Sequence, residues 1–172
     1  LLQLLSNAKR VWVIGEAMGR YLAELFASYL RVAGVNAAAV DADPAAVAHM
    51  VLDLDPDDLV IGLGVAGTGL DTAAALRLAQ EQGATIAAVS VSALSPPAQV
   101  ADHVLVCPST TPMGLSSNAS LMTMLTVLWQ AILARDEMEE RVNALQETYA
   151  SLLEARGKQR ERLDVLGLWQ EF

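Results

Sequence analysis

The sequence predicts an α/β fold: a doubly wound, mainly parallel five-stranded sheet flanked by helices, with a long C-terminal helix. Three observations predict it. Apolar runs of four to eight residues recur, each broken by Gly, Pro, Asp or Arg, and runs that are apolar throughout suit strands covered on both faces. Helical phrases stand between successive runs, the order that builds a parallel sheet. Two of the strand-to-helix junctions are rich in glycine, at Gly15-Glu16-Ala17-Met18-Gly19 and between Gly62 and Gly69.

Taken in order, residues 1–8 read as the end of a helix that leads through Lys9-Arg10 into the strand Val11-Trp12-Val13-Ile14. Gly15 ends that strand, a helix from Tyr21 to Val32 follows, and Gly34 stops it. A weaker strand spans Val35 to Val40. Asp43 then caps a helix that starts at Pro44 and runs to about Leu52, since proline suits the first helical turn. After the acidic turn from Asp53 to Asp58 comes the central strand, Leu59-Val60-Ile61. The glycine loop opens a helix whose inward face is expected to carry Leu70, Ala73, Ala74, Leu76, Leu78 and Ala79, with Gly83 as its C′ stop. Thr85 to Val89 is the next strand, and Ser90 to Asp102 is a loop with a short helix after Pro96-Pro97. His103 to Cys107 is the fifth strand, closed by Pro108. A polar loop from Ser109 to Ser117 leads into one long helix, apolar to Leu133 and then charged and amphipathic to Leu153. Residues 158–172 alternate charge with apolar groups and receive no placement.

With 172 residues, 53% of them hydrophobic, the chain can fill one large core. No apolar run approaches the roughly 20 residues of a membrane span, so a soluble cytoplasmic protein is expected. The net charge of −9 offers no basic stripe for nucleic acid. Between Val11 and Ala134 the basic residues are Arg20, Arg31 and Arg77; Arg31 and Arg77 fall on solvated helix faces. The single cysteine, Cys107, excludes an internal disulfide and closes an apolar run, so it reads as core rather than nucleophile. Neither a metal nor a cofactor is expected. The chain lacks an initiator Met and starts on a helical phrase, which suggests a piece of a longer protein.

In a doubly wound sheet, ligands bind beyond the carboxyl ends of the strands at the point where strand order reverses. The loops after Ile14, Ile61, Val89 and Cys107 all lie at carboxyl ends, so the four can line one crevice. The glycines between Gly62 and Gly69 admit two readings. They bring backbone N–H groups up to an anion at the positive end of the following helix, or they only let helix and sheet pack closely. Arg20 is either the cation of this crevice or a surface group. Glu16 is the one carboxylate in a crevice loop, and a solvated or helix-capping role suits it best.

The order DDLVIGLGVAGTGLDTAAALRLAQEQGATIAAVSVSALSPPAQVADHVL, from Asp57 to Leu105, resembles the SIS (sugar isomerase) domain. Ser95-Pro96-Pro97-Ala98-Gln99-Val100-Ala101-Asp102 is similar to that family's Ser-Pro-Leu-Ala-x-x-Ala-Asp phrase, and Gly15 to Gly19 matches its first glycine loop in position. The resemblance covers roughly residues 8–133. It implies a sugar phosphate held by hydroxyls, but those positions here read Gly64, Ala66 and Gly69, with Gly67 retained and Thr68 beside it; the family's first-loop Ser is Gly19. Each lost hydroxyl removes a hydrogen bond worth roughly 0.5–1.5 kcal/mol. Family isomerases that interconvert hexulose phosphates carry a Glu base in the last loop, and here Pro112-Met113-Gly114-Leu115-Ser116-Ser117-Asn118 places an amide there. Moving a proton between carbons needs a base with a matched pKa. His49 and His103 are read as structural or exposed.

What remains looks like the SIS domain of RpiR-type transcriptional regulators. The resemblance implies a sensing SIS domain at residues 1–135, followed by a C-terminal helical extension for dimerisation at 136–172. It also implies an N-terminal helix-turn-helix domain outside this sequence that alone contacts DNA. The ligand is expected to be a phosphorylated sugar or related small anion. The residues expected to bind it are Gly15, Gly19, Arg20, Gly64, Val65, Ala66, Gly67, Thr68, Gly69, Ser92, Ser95, Ser116 and Ser117. Ser116, Ser117 and Ser120 stand where hydroxyls either hold an anion or cap a helix. Met138, Val142, Leu145, Tyr149, Leu152 and Leu153 form an apolar stripe suited to a partner copy, and a homodimer or higher oligomer is expected. Two other readings stay open: an isomerase in which Glu16 takes the base role, and a dimerisation module without a ligand.

Overall fold

The computed structural model describes residues 1–65, 69–109, 117–135 and 138–155. Its elements are α1 (Leu2–Asn7), β1 (Val11–Gly15), α2 (Met18–Val32), β2 (Ala37–Asp41), α3 (Pro44–Asp53) and β3 (Leu59–Gly64), then α4 (Leu70–Glu81), β4 (Thr85–Ser90), α5 (Pro96–Val100), β5 (His103–Val106), α6 (Ala119–Leu133) and α7 (Glu139–Ala155). The chain divides into two compact units after Ile132.

The five strands form one sheet in the order β2-β1-β3-β4-β5, and every pairing is parallel. Val13 sits level with Ala39 on one side and Ile61 on the other. Strand order therefore reverses between β1 and β3, and the carboxyl ends of these two strands flank the switch point. The expected burial on both faces holds for β1 and β3, which are buried at every residue. It fails for the edge strand β5, where Val104 and Val106 are about two-fifths exposed at 38% and 40%.

On one face, Trp12, Ile14, Val40, Val47, Met50, Val60, Leu76 and Ile86 form a continuous core beneath α3 and α4. On the other, α2 packs on β1 and β2 and buries Phe26 and Leu30. The rings of Tyr29 on α2 and Trp129 on α6 stack with centroids 4.6 Å apart. Cys107 is buried, which pushes its thiol pKa up and fits the core reading.

Local signals placed most of the helix ends. Asp43 accepts the N–H groups of Ala45 and Ala46 ahead of Pro44, and Gly83 stands at C′ of α4 with φ +88°. Three expectations change. The first is the start of α2, which comes at Met18 rather than Tyr21, because the Gly19 N–H already closes a turn on the Glu16 carbonyl at 2.8 Å. The second is the inward face of α4, which carries Thr72, Ala73, Ala75, Leu76 and Ala79, leaving Leu70 75% and Leu78 45% exposed. The Leu76 side chain presses on Gly62, where a Cβ would lie 2.6 Å from it, and that contact sets the helix's rotation. The third is the single long C-terminal helix, which is two helices: α6 ends at Leu133 and the Met138 N–H bonds to the Arg135 carbonyl ahead of α7. Asp136-Glu137 is an acidic pair of the kind that opens a helix.

Candidate functional site

The β1–α2 loop is tight. A Cβ on Gly15 would lie 2.5 Å from the Gly19 carbonyl carbon, so the backbone itself fills that space. Ala17 adopts φ 49°, ψ −121°, left-handed backbone that a side chain tolerates only at a cost of order 1–3 kcal/mol. Gly19 is buried beside Leu63 and Val65, and a Cβ there would meet the Leu63 carbonyl oxygen at 3.6 Å, an ordinary contact.

The β3–α4 junction is equally close-packed. A Cβ on Gly64 would lie 2.2 Å from Ser90 Oγ, and one on Gly69 would lie 2.7 Å from Pro97 Cδ. Gly69 is the N-cap of α4 at φ +127°, where L residues are strained. Both glycines are thus required by packing. The hydroxyls that sequence comparison expects at these positions have no room.

Glu16 joins the two loops. Its Oε1 accepts the Gly69 N–H, and its Oε2 accepts the N–H groups of Asp71 at 2.8 Å and Thr72 at 3.0 Å. The first N–H groups of a helix have no partner inside it and carry its positive end. Glycine at the N-cap has no side chain to satisfy them, and a carboxylate from the neighbouring loop does so instead. Thr72 Oγ1 is buried and has no hydrogen-bond partner among the described residues. The helix-capping reading of Glu16 is the observed one.

Arg20 Nη1 donates to Asp41 Oδ2 at 2.8 Å and Nη2 donates to the Tyr21 hydroxyl at 2.9 Å. Its guanidinium lies 4.8 Å from the Tyr21 ring centre. Asp41, at the end of β2, neutralises this cation and has no signal in the sequence beyond its place at a strand's carboxyl end. Ser90 is likewise a residue that sequence reasoning left out. Fully buried at the end of β4, its Oγ donates to the Gly64 carbonyl at 3.0 Å and meets Ser95 Oγ at 2.5 Å.

The expected serines are turned inward to local structure. Ser95 caps α5 through the Ala98 N–H, and Ser92 Oγ accepts the Leu94 N–H at 3.1 Å. Ser117 Oγ accepts the Ala119 N–H at the start of α6, and its own N–H donates to Ser109 Oγ at 2.9 Å. Gly15, Gly19, Val65, Gly64 and Gly69 are brought together around the switch point, with Arg20 at its β2 side. Ala66, Gly67, Thr68 and Ser116 lie outside the described residues.

The oxygens of Glu16 face N–H donors, His49 is exposed on α3, and His103 is exposed at the amino end of β5. Among the described residues no group of three or more His, Cys, Asp and Glu is placed to hold a metal ion. No described helix is long and apolar enough to cross a membrane. A groove of about 500 Å³ lies at the opposite, amino end of the sheet, lined by Leu4, Lys9, Asp57 and Thr85 among others. It is remote from both glycine loops.

The family model for the SIS domain matches residues 4–134. Among solved structures, the chain is similar to the sugar isomerase domain of an RpiR transcription factor from Sphaerobacter thermophilus, at 30% identity and a TM-score of 0.77, covering 86% of this chain and 82% of that one. It also shares its fold with the NanR protein of Vibrio vulnificus complexed with ManNAc-6P. That likeness is at 20% identity and a TM-score of 0.70, over 88% of this chain and 59% of that one. A third likeness is to a hypothetical protein of Methanococcus jannaschii whose structure infers 3-hexulose-6-phosphate isomerase function. It has 17% identity and a TM-score of 0.61, over 83% of this chain and 75% of that one. No curated protein matches the chain. The same fold thus serves a regulator and a protein inferred to be an isomerase.

Proposed function

The chain belongs to the SIS domain family, and from that premise we propose that it is the effector-sensing and dimerisation domain of an RpiR-type transcriptional regulator, without catalysis. Its effector is a phosphorylated sugar or a related small anion, bound at the β1–β3 switch point. DNA contact belongs to a helix-turn-helix domain N-terminal to these residues in the full gene product, and the protein works in the cytoplasm.

One observation carries the non-catalytic reading. The crevice carboxylate, Glu16, is committed to capping α4, and the position of the family's Glu base is Asn118. An amide cannot take a proton from carbon, and a carboxylate with both oxygens on N–H donors is not aimed at a substrate. Dimerisation is supported by α7, where Leu145, Tyr149 and Leu152 are 41%, 42% and 59% exposed along one stripe.

A thermal-shift panel of sugar phosphates, amino-sugar phosphates and inorganic phosphate tests the proposal, beside an aldose–ketose interconversion assay on the same compounds. A ligand at about 100 times its dissociation constant adds roughly 2.7 kcal/mol of stability. A selective shift without turnover is the expected result. Turnover would return the chain to the isomerases, and a panel without any shift would leave the dimerisation module.

A further inference from the structure

We propose that Glu16 is an internal anion that an incoming phosphate must displace, so that the β1–α2 loop is a latch opened by the ligand. The proposal rests on the reading that the crevice takes a phosphorylated ligand. Its own footing is the observed contact between two loops. The Glu16 carboxylate spans the switch point and accepts the N–H groups of Gly69, Asp71 and Thr72. These are the donors that an anion seated at the start of α4 would need.

Among the described residues, no unpaired cation stands beside Glu16 to let the carboxylate and a phosphate share that place. Arg20, the basic residue of the first turn of α2, is already held by Asp41 and Tyr21. Like charges brought together without a counter-charge disfavour one another. Binding is therefore an exchange of anions rather than an addition.

The loop that Glu16 anchors is the strained one. Ala17, the next residue, is the non-glycine position with positive φ among the described residues. Such strain persists where the surroundings hold it in place, and here the hold on one side is the Glu16 carboxylate on α4. Displacing it frees the loop that opens α2. The same exchange thus converts ligand binding into a change at the N-terminus of α2, a two-state element of the kind that switches require. In the unliganded state Glu16 weakens every anion that competes for α4.

The test is inorganic phosphate titrated by calorimetry into the wild-type chain, Glu16→Gln and Glu16→Ala, each checked for native circular dichroism. Both variants are expected to bind phosphate at least about tenfold more tightly than wild type, within the usual span of coupled sites. Should Glu16→Ala fail to fold, Glu16→Gln decides. Equal or weaker phosphate binding in a folded variant would overturn the latch. The sugar-phosphate panel, run on the same proteins, separates the two proposals. Phosphate binding gained in the variants without any sugar phosphate bound keeps the latch and removes the sugar-phosphate reading. A sugar phosphate that binds wild type and both variants alike keeps that reading and removes the latch.

Discussion

The Glu16 carboxylate accepts the Thr72 amide at 3.0 Å across the switch point of the sheet, 56 residues along the chain. It bridges the loop after β1 to the first turn of α4, and through its other bonds it serves as that helix's cap. A side-chain cap from a distant loop ties two elements together as well as satisfying their donors.

Removing that tie lowers stability. Loss of an N-terminal cap costs about 0.5–2 kcal/mol, and Glu16→Ala is expected to fall in that range. Urea unfolding of wild type and variant, compared at equal m-values, measures it. An unchanged midpoint would mean that water or the Asp71 side chain replaces the cap at no cost.

Gly19 and Gly64 should respond in opposite directions to the same added methyl group. Gly64→Ala drives a Cβ to within 2.2 Å of Ser90 Oγ and 2.7 Å of Ser90 Cβ, so a loss of about 1–3 kcal/mol or more is expected. Gly19→Ala meets nothing nearer than 3.6 Å and lies inside a helix, so a gain of about 0.4–1 kcal/mol is expected. Melting temperatures of the two variants against wild type check the pair. A tolerated Gly64→Ala would refute the close approach of β3 to Ser90.

The stack between Tyr29 and Trp129 holds α6 against α2. A double-mutant cycle with Tyr29→Leu and Trp129→Leu should give a coupling of about 0.5–1.5 kcal/mol. Strict additivity would show that the rings lie side by side without attraction.

Lys9 and Asp55 predict an acid limb to the stability curve. The Lys9 hydrogen bond, backed by the Asp57 N–H, holds the Asp55 carboxyl below its ordinary value. A carboxyl whose folded pKa is depressed contributes stability above its unfolded pKa and loses it as pH falls through the folded one. Stability should therefore decline as pH drops below about 4, the ordinary carboxylate value, and Asp55→Asn should flatten that part of the curve. Chemical denaturation at a series of pH values reads this directly; an unaltered acid limb in the variant would assign it to other carboxylates.

The stripe on α7 predicts an oligomer that charge can break. Leu145→Asp with Leu152→Asp should lower the mass measured by analytical ultracentrifugation, because buried aspartates without partners are costly at an interface. A mass that does not change would put the contact between copies on another surface.

Much of this fold is written in local patterns. Apolar runs at Val11 to Ile14, Leu59 to Ile61 and Thr85 to Val89 became strands because each is buried on both faces by flanking helices, and Asp43 and Gly83 mark helix ends by chemistry that acts within a few residues. The break between Leu133 and Glu139 was missed because both sides are strongly helical, so only the acidic pair between them signals a new start. The inward face of α4 was misjudged for a different reason. Leu70 and Leu78 are apolar enough to be core, yet the rotation of the helix is set by Leu76 against Gly62 on another element.

By itself the sequence determined the α/β class, the order of strands and helices along the chain and the family resemblance. Only the tertiary structure decided what the crevice contains. Gly64 and Gly69 are glycines because Ser90 and Pro97 stand against them, and Glu16 is a cap because α4 begins beside it. Those partners are 26 to 56 residues away. Spacing in a sequence reports what a helix or strand does over a few residues, whereas a contact between loops exists only once the sheet has set their ends side by side.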